Sequence, residues 1–215
     1  MTIKEQILDF LRTQKMSTEE VSDALGKTGC IEGLYPVNNG HYAVGEVQYV
    51  YAHNNSNYSI HEQIRDIEAG KILYVDALNV GNYAIFGELV SMYIIEKRGV
   101  PAILINGKAR DLSGLRQRGY SVWCKGITPI GCFNVKVEES EDIVSTSTQN
   151  RLLLDGSIAV CDDSGVVVIP KSDINSNLLE HLQNMKKQEK IWFDCVENRG
   201  WNTYDTVCLK KYNNE

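Results

Sequence analysis

No apolar run in this sequence approaches the ~20 residues that a helix needs to cross a bilayer. Residues 1–6 are polar and amphipathic, unlike the apolar core of a secretory signal. We therefore expect a cytoplasmic protein with no membrane partner.

The sequence also lacks an excess of basic residues. It carries 22 Lys and Arg against 28 Asp and Glu, for a net charge of −6. Because binding to a phosphate backbone needs a basic face, this balance argues against a nucleic-acid partner. A glycine-rich nucleotide-binding fingerprint is missing too, which argues against methyl transfer.

The six cysteines follow no metal-site or disulfide pattern. No pair has C-x-x-C spacing, and no histidine cluster accompanies them, which argues against zinc. The 43% hydrophobic content is enough for a sizeable core, which argues against a disulfide scaffold. We expect free thiols, with Cys124 and Cys161 as small core residues.

Apolar helical segments alternate with apolar strand segments along the chain. The spacing predicts helices at 3–14, 18–25, 60–69, 85–98, 111–118 and 173–189, and strands at 44–51, 71–76, 101–105, 121–124, 135–137 and 165–170. Such interleaving predicts the α/β class. A chain of 215 residues suits one core, so we predict a single α/β domain over 1–190 with N-terminal helices, followed by an aromatic C-terminal extension at 191–215.

The first candidate site segment is Gly87, Glu88, Leu89 and Val90, at the start of a predicted helix. The first turn of a helix leaves backbone N–H groups unpaired, and a glycine there lets a ligand approach the main chain. A carboxylate suits such a place. Taken alone, the segment is better explained as a plain strand-to-helix connection.

The second candidate segment is Arg110-Asp111, directly after an apolar strand. An arginine fork binds a carboxylate at two points, and an aspartate is a ligand for Mg²⁺. An isolated Arg-Asp pair is more often a surface arginine followed by a helix cap. Its position after a buried strand, where α/β sheets expose ligand sites, favours the functional interpretation.

Several landmarks, taken in order, resemble one known family. They are Asp23-Ala24-Leu25-Gly26, His61-Glu62, the segments 70–77, 87–89 and 98–100, Asn106-Gly107-Lys108-Ala109-Arg110-Asp111, and 162–170. The chain resembles the RraA-like family, which includes 4-hydroxy-4-methyl-2-oxoglutarate aldolases and the regulator of ribonuclease E activity. The resemblance implies a swivelling β/β/α sandwich fold, assembled as a homotrimer or homohexamer with the site near a subunit boundary.

The resemblance also implies a set of roles. The backbone amides of Gly87, Glu88, Leu89 and Val90 would hold the substrate carboxylate, and Arg110 would bind the carboxylate or keto oxygen of a pyruvoyl group. Asp111 would anchor Mg²⁺ or Mn²⁺. Arg110 and Asp111 are the predicted catalytic residues, and a metal-polarised water is the candidate base.

The chain departs from the family pattern at two positions. Family aldolases place an acid at a fixed spacing before the Arg-Asp pair; here Leu89 stands at that spacing and Glu88 one residue earlier. The family also favours an acid three residues after the Asp, where this chain has Gly114. A missing outer carboxylate costs about 10–100-fold in metal affinity or activity, so these changes bear on specificity more than on fold.

The resemblance leaves two functional classes open. The first is a metal-dependent lyase that cleaves a 2-keto acid such as 4-hydroxy-4-methyl-2-oxoglutarate or oxaloacetate through a pyruvate enolate, or a related lyase or isomerase on a larger keto acid. The second is a non-catalytic regulator that binds a protein such as a ribonuclease. The retained Asp111 favours the enzyme.

Overall fold

The computed structural model describes residues 1–214, which contain seven strands. They are β1 (Tyr35–Pro36), β2 (Ala43–His53), β3 (Ile72–Leu78), β4 (Ile103–Ala109), β5 (Val122–Ile127), β6 (Ile158–Asp162) and β7 (Gly165–Ile169). Their order in the sheet is β1-β5-β4-β3-β2-β6-β7. The neighbours β2, β3, β4 and β5 run parallel, whereas β6 and β7 form an antiparallel hairpin on β2.

Strand β2 joins the two parts of the sheet because it is long enough to pair twice. Residues 43–46 pair with β6, and residues 47–53 pair with β3. At the far side, Ile31 N donates to Val166 O, and Val168 N donates to Gly29 O. The segment before β1 thus lies against β7, so the sheet is nearly closed.

Seven α-helices cover this sheet within the described residues. They are α1 (Ile3–Gln14), α2 (Thr18–Ala24), α3 (Tyr58–Gln63), α4 (Glu88–Met92), α5 (Leu112–Gln117), α6 (Glu141–Leu154) and α7 (Ser176–Glu197). Helix α4 continues as a π-helical turn over Tyr93–Lys97. Thr2 and Ser17 cap α1 and α2 in complete capping boxes, in which the side chains of Glu5 and Glu20 bond back to the N-cap backbone.

The buried side chains form three layers. Alternate residues of β2–β5, such as Val50 and Val75, pack under α3–α5. The opposite face of these strands, with Tyr49 and Trp123, packs on Cys161 and the rest of the β6–β7 hairpin. The outer face of that hairpin packs under α1, α2 and α7. Two β layers flanked by helices confirm the predicted α/β class and sandwich.

One predicted strand was wrong, and two elements were missed. Residues 135–137 form no strand; this segment runs across the sheet edge, where Ser56 Oγ donates to Val135 O at 2.5 Å. Helix α6 was missed because its sequence is mostly polar and its apolar residues follow no helical period. Strand β6 was also missed; a turn at Asp163 and Ser164 joins it to β7.

The C-terminal part is more helical than its sequence indicates. Helix α7 continues to Glu197, well past residue 189, and is followed by a π-helical turn at Tyr204–Cys208. Helix α7 therefore crosses residue 190, the predicted boundary between the α/β domain and the C-terminal extension. This boundary stays a prediction.

Two further observations concern membrane-spanning helices and the cysteines. None of the helices in the described part of the chain has both the length and the hydropathy of a membrane span. All six cysteines are free thiols, with Cys124 and Cys161 buried as expected.

Candidate functional site

Arg110 and Asp111 lie at the carboxyl end of β4, where that strand passes into α5. The pairing of β4 with β5 shifts between Ile105 and Lys108, so the strand end is irregular. Asp111 then adopts the left-handed conformation, with φ 59°, and occupies the N-cap position of α5. Its carboxylate makes no capping bond to α5, so it is available to other groups.

The turn at 87–90 lies directly against this pair. Glu88 N donates to Asp111 Oδ2 at 3.2 Å, and Arg110 N donates to Phe86 O at 3.2 Å. A Cβ on Gly87 would overlap the Asp111 carboxylate and lie 2.9 Å from Arg110 Cγ. The two segments singled out in the sequence are therefore in direct contact, and only a glycine fits at position 87; we refer to the place where they meet as the cleft.

The Arg110 guanidinium lies across the backbone of Gly131. Its Nε is 3.8 Å from Asp111 Oδ2, and the side chain is 47% exposed, so most of its donors remain open to a ligand. A Cβ on Gly131 would overlap Nη1. Burial raises the pKa of the neighbouring Cys132 thiol to about 11, and the Arg110 charge opposes this rise. The loop after β5 thus forms one wall of the cleft.

A second carboxylate reaches the cleft from Glu88. Its side chain lies on the Cα of Gly114: the Glu88 Cδ is 2.5 Å from the position a Cβ there would take. Arg118 Nε binds Glu88 Oε1 at 2.5 Å, and Arg118 Nη1 binds Glu96 Oε1 at 3.3 Å. The bond from Glu88 raises the pKa of the Arg118 guanidinium above its usual value, and Tyr120 also donates to Glu96.

The backbone amides of the turn are not equivalent. The Glu88 amide is occupied by Asp111, whereas Leu89 and Val90 lie in the first helical turn, which has no carbonyl one turn earlier to pair with. The Leu89 side chain is 73% exposed. With Val90 it borders an apolar groove of about 520 Å³, whose wall also includes Tyr93 and Lys97.

The donor set of the cleft fits one kind of metal. Within residues 1–214, no group of three or more His, Cys, Asp or Glu side chains is placed to hold an ion. Zinc sites need three or four such ligands, whereas Mg²⁺ accepts one or two carboxylates and keeps several waters. Asp111, with Glu88 nearby, suits the second kind.

The remaining polar candidates lie elsewhere or are structural. His61 is exposed on α3, and His41 Nδ1 pairs with Ser121 Oγ at 2.8 Å. Asp162 accepts hydrogen bonds from the backbone and hydroxyl of Thr18, both at 2.8 Å. Gly131 and Arg118, which shape the cleft, were missed because no local pattern marks either of them.

The comparisons with known proteins agree with this architecture. Residues 18–168 match the RraA-like family, described as Aldolase/RraA. Over 188 residues the chain is 23% identical to Protein DlpA of Legionella pneumophila, covering 81% of this chain and 29% of that protein. The chain spans less than two thirds of the curated relatives it matches.

Solved structures share the fold. A protein of Pseudomonas syringae pv. tomato superposes with a TM-score of 0.69 at 18% identity, covering 92% of this chain and 94% of that one. Streptomyces coelicolor RraAS2, described as an unusual member of the RNase ES inhibitor RraA family, gives 0.65 at 19% identity and covers 86% and 96%. With its family match spanning most of the domain, the chain belongs to the RraA-like family.

Proposed function

We propose that this protein is a metal-dependent lyase that cleaves a pyruvoyl-type 2-keto acid. The observation that carries the proposal is the shared cleft: a guanidinium, a carboxylate and a turn with open amides converge on one place. Family membership supports it, since the family description includes aldolases.

In this proposal each residue of the site has a role that follows from its charge or hydrogen-bonding groups. Arg110 offers a planar fork that matches a carboxylate or keto oxygen, and its charge stabilises the enolate oxygen that develops as the bond breaks. The amides of Leu89 and Val90 bind the substrate carboxylate. Asp111 holds Mg²⁺ or Mn²⁺, which when bound supplies Lewis-acid stabilisation of the same oxygen.

The same movement of electrons applies to 4-hydroxy-4-methyl-2-oxoglutarate and to oxaloacetate. In the aldol cleavage, the C4 hydroxyl gives up its proton to a base and becomes a carbonyl, while the C3–C4 electron pair forms the C2–C3 double bond of the pyruvate enolate. In oxaloacetate, the same electron pair is released when the C4 carboxylate leaves as carbon dioxide. Protonation at C3 then gives pyruvate in both cases.

The test is pyruvate release from oxaloacetate and from 4-hydroxy-4-methyl-2-oxoglutarate, with Mg²⁺ and with a chelator. We expect metal-dependent turnover, and a loss in Arg110→Ala of at least about 100-fold, the cost of removing one oxyanion donor. Asp111→Ala should lose activity to a similar degree. The exposed Asp142→Asn serves as a control and should leave activity unchanged. Turnover that survives the chelator, or full activity in either cleft variant, would refute the proposal.

A non-catalytic regulator is the second candidate. The observation that favours it is the small donor set, with Leu89 and Gly114 at the two positions where family aldolases have acids. If the protein is a regulator and not a lyase, the wild type should release no pyruvate from either substrate with any divalent metal. It should instead bind a partner protein.

We also propose that the protein assembles as a trimer or hexamer with the cleft near a subunit boundary, by analogy with its family. The exposed Leu89 and the apolar groove beside it are consistent with a covered surface. Sedimentation equilibrium would give the number of subunits directly.

A further inference from the structure

Lys108 lies on the same face of β4 as Arg110. The residue between them, Ala109, is fully buried in the layer under α3–α5, and a Cβ on Gly107 would also enter that layer, 3.5 Å from Ile85 Cγ1. Because side chains alternate along a strand, Lys108 and Arg110 project from the opposite face. Two cations two positions apart are thus presented to one face at the end of the strand.

Backbone pairing places the two cations on either side of Ala84. This residue pairs with Lys108 on one side and with Gly131 on the other, and Arg110 Cζ lies 3.0 Å from the position of a Cβ on Gly131. Neighbouring strands lie about 4.8 Å apart, so roughly 10 Å separates the Lys108 backbone from the Gly131 backbone that the guanidinium crosses. A short dicarboxylate with a cation at each end fits a separation of this size.

The Lys108 ammonium is held in place without being neutralised. It donates to Oδ1 of Asn82, which is a neutral amide, and no carboxylate of residues 1–214 pairs with it. Lysines elsewhere in the chain, such as Lys71 and Lys186, bind acids. Lys108 is partly buried, and because burying a charge without a counter-ion is costly, this position favours an anionic ligand.

The two candidate substrates use a second carboxylate differently. In 4-hydroxy-4-methyl-2-oxoglutarate, the carboxylate on the departing half stays charged from the ground state to the product. In oxaloacetate, the second carboxylate is the group that leaves as carbon dioxide, so its charge moves away in the transition state. A cation beside that group stabilises the ground state more than the transition state and does not raise kcat. Lys108 therefore suits an aldol substrate better than oxaloacetate.

We propose that Lys108 binds the carboxylate on the departing half of the substrate and makes the protein selective for 2-keto diacids over 2-keto monoacids. The inference rests on the proposed function, because Arg110 and the 87–90 amides hold the pyruvoyl end of the same molecule. Asn82 is a positioning residue in this scheme, since it holds the ammonium in place and leaves its charge available to the ligand.

Calorimetry on the full-length protein with Mg²⁺ and two ligands that cannot be cleaved isolates the second carboxylate. Pyruvate lacks this group, whereas 2-oxoglutarate has the same keto acid end and a second carboxylate but no C4 hydroxyl. We expect wild type to bind 2-oxoglutarate at least about 10-fold more tightly than pyruvate, as for a hydrogen bond between charged groups. Lys108→Met keeps the length of the side chain and removes the charge, so it should lose this preference and bind pyruvate as wild type does.

Asn82→Asp tests the same site with Lys108 in place. A carboxylate at 82 would pair with the ammonium and compete with the ligand, so the affinity for 2-oxoglutarate should fall about 10-fold while the affinity for pyruvate stays the same. Lys187→Met, an exposed change on α7, is the matched control and should bind both ligands as wild type does.

Turnover adds a second measurement. Lys108→Met should lower kcat/KM for 4-hydroxy-4-methyl-2-oxoglutarate about 10-fold. It should not lower kcat for oxaloacetate, because it removes ground-state binding of the departing group. A loss of kcat with oxaloacetate as large as the loss with the aldol substrate would contradict the proposed role.

The outcomes separate the two proposals. If wild type binds pyruvate but binds 2-oxoglutarate no more tightly, or if Lys108→Met or Asn82→Asp keeps the wild-type preference, the role of Lys108 is refuted while the lyase proposal stands. If Lys108→Met loses affinity for both ligands equally, Lys108 does not recognise the second carboxylate, and its role is refuted as well. If wild type binds neither ligand with Mg²⁺, both proposals fail.

Discussion

The amide of Glu88 and the carboxylate of Asp111 are joined by a 3.2 Å hydrogen bond, although the residues lie 23 positions apart. Asp111 sits in the left-handed region at φ 59°, which aspartate tolerates better than most residues. The bond orients the carboxylate away from the helix it would otherwise cap. The 87–90 turn therefore sets the direction in which Asp111 points, and disturbing the turn should disturb the proposed metal site.

Gly87→Ala tests this coupling. The added methyl group would overlap the Asp111 carboxylate, with Cγ at 2.7 Å, so carboxylate and turn must separate. We expect a stability cost of about 1–3 kcal/mol, as for overpacking elsewhere, together with loss of Mn²⁺ binding. Gly45→Ala is the control, because its Cβ would meet the Ile72 side chain at 3.0 Å and contacts neither the 87–90 turn nor Asp111. If both variants lose equal stability but both bind Mn²⁺ normally, the coupling does not exist.

Gly131→Ala should act on the substrate rather than on the metal. A methyl group at 131 would push the Arg110 guanidinium from its place while Asp111 stays bonded to Glu88. We expect the affinity for oxalate, a mimic of the pyruvate enolate, to fall about 10-fold, which corresponds to a weakened hydrogen bond between charged groups. Calorimetry with and without Mg²⁺ would measure it. Arg110→Lys should show a similar loss, because a point charge cannot replace the fork; a larger loss of Mn²⁺ than of oxalate affinity would contradict this account.

The elements that sequence predicted well are those whose pattern is local. Strand β3 and the first half of β4 are short apolar runs, and the Ser17–Glu20 capping box fixes the start of α2. Helix α6 gives no such signal, because only Ile143 and Ser147 are buried along it and its other residues are largely polar. Its stabilisation comes from packing against β2, which sequence spacing does not encode.

The candidate site also contains residues that the sequence singled out and a contact that it did not. Arg110-Asp111 and the turn at 87–90 were singled out by the family resemblance, since each local pattern alone is better explained without a function, and the structure brings the two segments into contact. The contact of Glu88 with Gly114 was not predictable, since it depends on how the end of β4 meets the start of α4 in space. Gly114 appeared in the sequence only as a missing acid; the structure shows an acid from elsewhere in that space.

A buried hydrogen-bond network that joins β2, β3, β4 and α6 offers a stability test away from the cleft. The Asp76 carboxylate is 3% exposed and accepts from Tyr49 OH at 3.0 Å, Asn106 Nδ2 at 2.7 Å and Asn150 Nδ2 at 2.8 Å. Tyr49→Phe removes one donor from a buried charged acceptor, which should cost about 1.5–3 kcal/mol in the free energy of unfolding. Urea denaturation would measure the loss, with the exposed Tyr35→Phe as a control that should cost little.

The same tyrosine predicts how stability changes in alkali. Burial, and then the Asp76 charge, raise the pKa of Tyr49 above its ordinary value. The folded protein keeps this proton where the unfolded chain loses it, so the contribution of Tyr49 is complete below about pH 10 and is lost as the pH rises further. Tyr49→Phe should therefore lose stability less steeply than wild type above that pH. Equal slopes would show that Tyr49 ionises at its ordinary pKa.

The contact between α2 and α7 should depend on pH near neutrality. A hydrogen bond with Glu20, and then burial, raise the pKa of Glu189 to about 7, while Lys186 opposes the rise. Because the folded pKa is raised, the stabilisation is complete below the ordinary value near 4.5 and is lost as the pH rises through about 7. Above that pH two carboxylates, Glu189 and Glu20, face one another, with Glu19 adding to the repulsion.

Glu189→Gln keeps the hydrogen bond and removes the ionisation. Since the Glu189 side chain is 38% exposed, solvent screening should limit the effect to about 1 kcal/mol. We expect the variant to unfold at the same temperature as wild type at about pH 5 and about 2–4 °C higher at about pH 8, which is the shift that this energy produces in a chain of such size. Glu180→Gln, an exposed change on the same helix, should show no such divergence. Thermal unfolding curves that stay parallel across this range would mean that Glu189 is ionised throughout and that the two carboxylates do not share a proton.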